Sequence, residues 1–182
     1  MRFAETLKED GTLYLANIRG AEVTDTYTLK GNGPECWAPQ FTYHGFRYVE
    51  LTGFPGEPTL DTLEGELVND DVTPSGTFAC SNPLLNQIYK NIEWGVRGNY
   101  RSVPTDCPQR DERQGWLGDR SAECTGESYL FDVAAFYAKW VTDIEDAQRE
   151  DGSVSDVCPS YWPMYNDNVT WPSSIAMIPG TL

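Results

Sequence analysis

The chain is 182 residues long and carries 28 acidic residues against 13 basic ones, a formal net charge of −15. That length fits one ordinary domain or two small ones. The charge argues against nucleic acid or an anionic membrane surface as partner, because both call for a basic face. No stretch approaches the roughly 18 apolar residues needed to cross a bilayer, and Glu5, Lys8, Glu9 and Asp10 follow Met1-Arg2-Phe3 where a leader peptide would need an apolar core.

From about residue 12 to 68 the chain reads as short strands. Thr12–Ala16, Asp25–Leu29 and Phe46–Leu51 hold the β-branched and aromatic residues that strands favour. Asp10-Gly11, Gly31-Asn32-Gly33 and Pro55-Gly56 punctuate them as turns. Strands at this spacing, with no helical pattern between them, predict part of an antiparallel sandwich. His44 is the one histidine of the chain and is expected to be a packed structural residue. A Ser-His-Asp or Cys-His hydrolase and a His-ligated zinc site are thereby nearly excluded. The 23 aromatic residues (six Trp, ten Tyr, seven Phe) belong for the most part in the core.

The character changes near residue 70, where Asn69–Gly76 forms a polar bridge. Ser81 or Asn82 then caps a helix that has Pro83 in its first turn. Leu85, Ile88, Ile92 and Val96 follow at helical spacing, so this helix should run to about residue 99. A charged loop comes next, from Asp106 to Asp119. Beyond it, Val133, Phe136, Tyr137, Trp140, Val141 and Ile144 mark a second amphipathic helix, which Gly152 is expected to end. Glu123 and Glu127, four residues apart, are expected on a solvated or helix-starting face.

The loop is the most informative segment. In fourteen residues it holds four carboxylates, two arginines and a tryptophan, interrupted by Pro108, Gly115 and Gly118. Such a segment cannot bury unpaired charges in an apolar core. Acids beside a guanidinium and an aromatic plane have the composition of a site that binds and cleaves sugars. Two-carboxylate glycoside hydrolysis needs an acid that keeps its proton, which takes an apolar wall or a neighbouring negative charge. Glu112 suits that role, with Asp111 adjacent, Asp106 and Asp119 near in sequence, and Trp116 available as an apolar face.

The order Asp106-Cys107-Pro108-Gln109-Arg110-Asp111-Glu112-Arg113, followed by Gly115-Trp116 and Gly118-Asp119, closely resembles the signature of the α-L-rhamnosidases of glycoside hydrolase family 78. The run Pro39–Tyr48 resembles the β-sandwich that precedes their catalytic barrel. The resemblance implies a mixed β-then-α fold: a partial antiparallel β-sandwich over residues 1–70, then the first helices of an (α/α)6 barrel over 71–182. It implies hydrolysis of terminal α-L-rhamnose with inversion, with Glu112 as general acid. Asp106, Arg110 and Asp119 would bind rhamnose hydroxyls, and Trp116 and Trp171 would line the pocket. Trp171 is followed by Pro172-Ser173-Ser174 where the family usually carries an aspartate two residues on. The family's general base lies several helices further along than this chain reaches. The chain is therefore expected to be a truncated piece, inactive or weakly active alone, with a non-catalytic rhamnose-binding remnant or a poorly folded structural fragment as the alternatives. Exposed barrel helices would then favour self-association or a complementing chain.

No cofactor and no metal is expected, since Asp61, Glu64, Glu66, Asp70 and Asp71 lack calcium-loop spacing. Cys36, Cys80, Cys107, Cys124 and Cys158 contain no Cys-x-x-Cys pair, and free thiols in a reducing cytoplasm fit best. Asn168-Val169-Thr170 is read as a chance glycosylation pattern.

Overall fold

A computed structural model describes residues 1–181 of the chain. They divide into two compact units: Met1–Val68 together with Cys107–Arg113, and Asn69–Asp106 together with the residues from Gln114 onward.

The first unit is β-rich. Strand β1 (Arg2–Ala4) pairs antiparallel with β4 (Tyr48–Glu50), Phe3 opposite Val49, while β2 (Thr6–Leu7) pairs with β3 (Leu13–Tyr14). Alternation along β1 sends Phe3 inward, where it packs with Ile18 and Val23. The His44 ring stacks on Phe3 at 4.3 Å between centroids, and its Nε2 lies 3.0 Å from an Asp25 carboxylate oxygen. The strand expected at Asp25–Leu29 does not form. Instead the Glu35 carboxylate gathers the Lys30 and Gly31 N–H groups and the Tyr27 hydroxyl, and Tyr27 stacks on Trp37 at 5.0 Å. A local carboxylate thus closes a turn of its own just past the expected strand.

The second unit is helical. Helix α1 (Pro83–Asn99) begins as the sequence predicts: the Asn82 side chain accepts the Leu84 N–H at 2.9 Å, and Pro83 occupies the first turn. Of its apolar stripe only Val96 is buried, whereas Leu85, Ile88 and Ile92 are exposed. A tight hairpin follows, β5 (Tyr100–Arg101) with β6 (Val103–Pro104), turning at Ser102, whose φ is +69°. Helix α2 (Leu117–Ser128) and helix α3 (Ala134–Asp146) come next, then a single turn, α4 (Ser174–Met177). Tyr137, Trp140 and Ile144 of α3 bury against Tyr100, Leu117, Cys124 and Ile178. The helix expected to run to Gly152 stops at Asp146, where the Ala147 N–H returns to the Asp143 carbonyl. Gly152, at φ +88°, instead closes a separate turn onto Arg149. Pro179–Thr181 form one 3-10 turn; Leu182 lies outside the described residues. None of these helices is long and apolar enough to cross a membrane.

Candidate active site

The loop that carries the carboxylates is divided between the two units. Its centre, Cys107–Arg113, belongs to the β-rich unit. There the Gly45 N–H donates to the Pro108 carbonyl at 3.0 Å, and a Cβ on Gly45 would meet Pro108 Cγ at 2.7 Å. The Gly20 N–H donates to Asp111 Oδ2 at 3.1 Å. Arg113, in the left-handed region at φ +53°, donates to the Arg110 and Tyr43 carbonyls, both at 3.0 Å. The segment thus makes its turns with specific donors rather than with apolar packing.

Glu112 has a side chain only 19 % exposed, and two guanidiniums meet its Oε2: Arg110 Nε at 2.5 Å and Arg19 Nη1 at 3.1 Å. Arg19 was not singled out in the sequence. It ends a 3-10 turn (Ala16–Ile18) with φ +55°, and no pattern in Asn17–Gly20 announces an arginine directed at a carboxylate ninety residues away.

The flanks of the loop belong to the helical unit. Asp106 and Gln114 face each other: the Asp106 N–H donates to the Gln114 carbonyl at 3.0 Å, and the Gln114 N–H donates to Asp106 Oδ1 at 2.8 Å. Trp116 is half-buried and meets Trp162 edge-on at 6.3 Å, a second indole that sequence reasoning missed. Asp119 sits in the first turn of α2, where a carboxylate is favoured by the helix dipole. Trp171 lies on α2 so closely that a Cβ on Gly118 would overlap its indole, and its Nε1 is buried with no hydrogen-bond partner among the described residues.

One expectation is overturned. Glu127 is not on a solvated face; it is 3 % exposed, at the centre of an ionic cluster. It pairs with Arg120 and accepts from the Tyr100 hydroxyl at 2.6 Å and from the Tyr137 hydroxyl. Burial, and then the Glu127 carboxylate, push both tyrosines far above their usual range. Burial pulls the Arg120 guanidinium down more than any one neighbour raises it, but Glu127, Tyr137, Glu123 and Tyr100 together outweigh it and the net shift is upward. Glu123 does lie exposed, and burial of its inner part raises it above the ordinary carboxylate range. Burial also pushes the Cys158 thiol up to about 12.

Two family models match the chain. Residues 1–69 match the bacterial alpha-L-rhamnosidase concanavalin-like domain, and residues 73–182 match the bacterial alpha-L-rhamnosidase 6 hairpin glycosidase domain. A curated alpha-L-rhamnosidase of Streptomyces avermitilis is 45% identical over the whole chain, which spans 18% of that relative. Among solved structures, an alpha-L-rhamnosidase from Dictyoglumus thermophilum superposes with a TM-score of 0.94 at 50% identity, covering 97% of this chain and 20% of that one. A Streptomyces avermitilis alpha-L-rhamnosidase complexed with L-rhamnose gives a TM-score of 0.94 at 45% identity, covering all of this chain and 18% of that one. The chain therefore spans about a fifth of the length of these relatives. Because the two matches together take in residues 1–69 and 73–182, with the carboxylate loop inside the second, the chain belongs to the bacterial α-L-rhamnosidase family of glycoside hydrolases.

Proposed function

We propose that this chain contributes the acid half of an inverting α-L-rhamnosidase site, acting on terminal non-reducing α-L-rhamnose of a glycoside or polysaccharide. The observation that carries the reading is the anchored loop, in which Glu112 is held by Arg110 and Arg19. In this reading Glu112 protonates the leaving oxygen, and a second carboxylate, which no residue of this chain is assigned to supply, activates water across the ring. Asp106, Arg110 and Asp119 take rhamnose hydroxyls, because carboxylates and a guanidinium can each engage two neighbouring hydroxyls in fixed geometry. Trp116 and Trp171 receive the apolar C–H face of the sugar. A general acid delivers a proton, so Arg110 and Arg19 must yield Oε2 during the reaction; transfer of Arg110 to sugar hydroxyls would do this. The architecture we assign is a partial β-sandwich over 1–70 and the opening helices of an (α/α)6 barrel over 71–182, supported by the concanavalin-like and 6-hairpin matches. A reducing cytoplasm suits a chain with an odd number of cysteines and no Cys-x-x-Cys pair.

A second reading, rhamnose binding without turnover, is favoured by the same geometry, since Glu112 Oε2 is engaged by two guanidiniums in the resting site. Release of p-nitrophenol from its α-L-rhamnoside, with calorimetric titration of L-rhamnose alongside, separates them. Weak turnover abolished in Glu112→Gln supports the acid half, full turnover would mean that a base is supplied from within these residues or by a second copy, and saturable binding without turnover supports the second reading. Neither signal from a folded sample would defeat both.

A further inference from the structure

The buried Arg120–Glu127 cluster takes no part in the chemistry above, and its stability value is small. Burying an ion pair costs so much desolvation that apolar residues of similar size often serve as well or better. What an apolar pair cannot do is donate to a carbonyl. Arg120 Nη2 donates to the Thr105 carbonyl at 2.8 Å.

We propose that Arg120 is a positioning residue that fixes the orientation of Asp106 through the Thr105–Asp106 peptide. This rests on the assignment of Asp106 to rhamnose hydroxyls made above. The Thr105 carbonyl and the Asp106 N–H lie in one rigid peptide plane. Arg120 grips one edge of that plane, and the Gln114 carbonyl, accepting the Asp106 N–H at 3.0 Å, grips the other. With both edges held, the direction in which Asp106 projects is set, and the Gln114 N–H then pins its Oδ1 at 2.8 Å.

The cluster behind Arg120 keeps the guanidinium in place. Its Nη1 is paired to Glu127, whose carboxylate also accepts from Tyr100 and Tyr137. Tyr100 begins the hairpin whose far end leads into Thr105, and the Thr105 N–H closes the hairpin base onto the Asn99 carbonyl at 2.8 Å. Both ends of the segment that delivers Asp106 are therefore tied to one cluster. The task needs two nitrogens in a fixed fork, one for Glu127 and one for Thr105, which a lysine cannot provide.

The test is amide hydrogen exchange by NMR on the whole chain, comparing wild type with Arg120→Lys, together with L-rhamnose titration of both. Exchange at Asp106 and Gln114 should quicken about tenfold, the effect of losing one charged hydrogen bond, while α1 amides keep their rates and rhamnose affinity falls by a similar factor. Unchanged exchange at Asp106 and Gln114, or a uniform rise across all amides, would overturn the proposal. If wild type binds no rhamnose, the assignment of Asp106 fails, and the exchange rates still decide whether Arg120 holds that peptide. Should Arg120→Lys not fold, Tyr137→Phe removes one hydroxyl from Glu127 and should quicken the same two amides about threefold; equal rates there would also overturn it.

Discussion

Gly115 and Cys158 lie back to back: the Cys158 N–H donates to the Gly115 carbonyl at 2.8 Å, and a Cβ on Gly115 would overlap the Cys158 carbonyl oxygen. That same oxygen accepts the Trp140 indole N–H at 2.9 Å. The atoms in the way are backbone and a buried ring, neither free to move aside. Gly115→Ala should cost about 1–3 kcal/mol or more, the range for forcing atoms into a packed interior. A urea midpoint equal to wild type would contradict this close approach.

Gly118 bears on Trp171 in a parallel way, but here the neighbour is a half-buried side chain. Gly118→Ala should push the indole off α2 while leaving the fold intact. The expected signs are a shift in tryptophan emission, a small loss of stability of about 1 kcal/mol, and weaker binding of L-rhamnose. An unaltered emission spectrum would show that the indole does not rest on that glycine.

Alkaline pH should destabilise the helical unit. Cys158, Tyr100 and Tyr137 are all held protonated in the fold, their values raised above the ordinary 9.0 and 10.0. A group raised on folding contributes stability that is fully present below its unfolded value and lost as pH climbs toward the folded one. For Cys158 that window runs from about 9 to about 12. The free energy of unfolding should therefore decline above pH 9, steepening above 10 as the tyrosines join. Tyr137→Phe, though less stable at neutral pH, should show a shallower decline above pH 10, and a parallel curve would count against the tyrosine's part.

The thiols should sort by burial. Cys36 is exposed and Cys80 half-buried, whereas Cys107, Cys124 and Cys158 are buried. Titration with Ellman's reagent at pH 8 should label Cys36 first and Cys80 next, and the remaining three only on unfolding. Rapid labelling of all five in native protein would mean the core is not formed as described.

The parts of the fold legible in sequence were those with local causes. Asn82 followed by Pro83 set the start of α1, and the spacing of Phe136, Tyr137, Trp140 and Ile144 disclosed α3. Helix α2 escaped because its buried face carries Leu117, Arg120, Cys124 and Glu127: the period is helical, but a hydrophobicity pattern assigns the two charges to solvent. The Asp25–Leu29 strand does not form, and just beyond it Glu35 gathers the Lys30 and Gly31 N–H groups into a local turn that its sequence pattern did not announce. At the site, the composition of Asp106–Asp119 disclosed the carboxylates and the arginine between them. Arg19, Trp162 and Arg120 were hidden because their partners are brought to them by chain folding.

The grouping of Cys107–Arg113 with the first 68 residues, while both flanks belong to the helices, bears on how such a protein can be cut or recombined. The chain leaves the helical unit after Asp106 and re-enters at Gln114, and those two residues pair across the gap. A helical segment expressed alone, or shuffled onto a foreign β partner, would keep that closed neck and the shape of the helices. It would lose Arg19, Gly20, Tyr43 and Gly45, the residues that give Glu112 and its loop their form. Glu112 would then keep its place in the sequence and lose the contacts with Arg19 and the Gly20–Gly45 side that set its position in space.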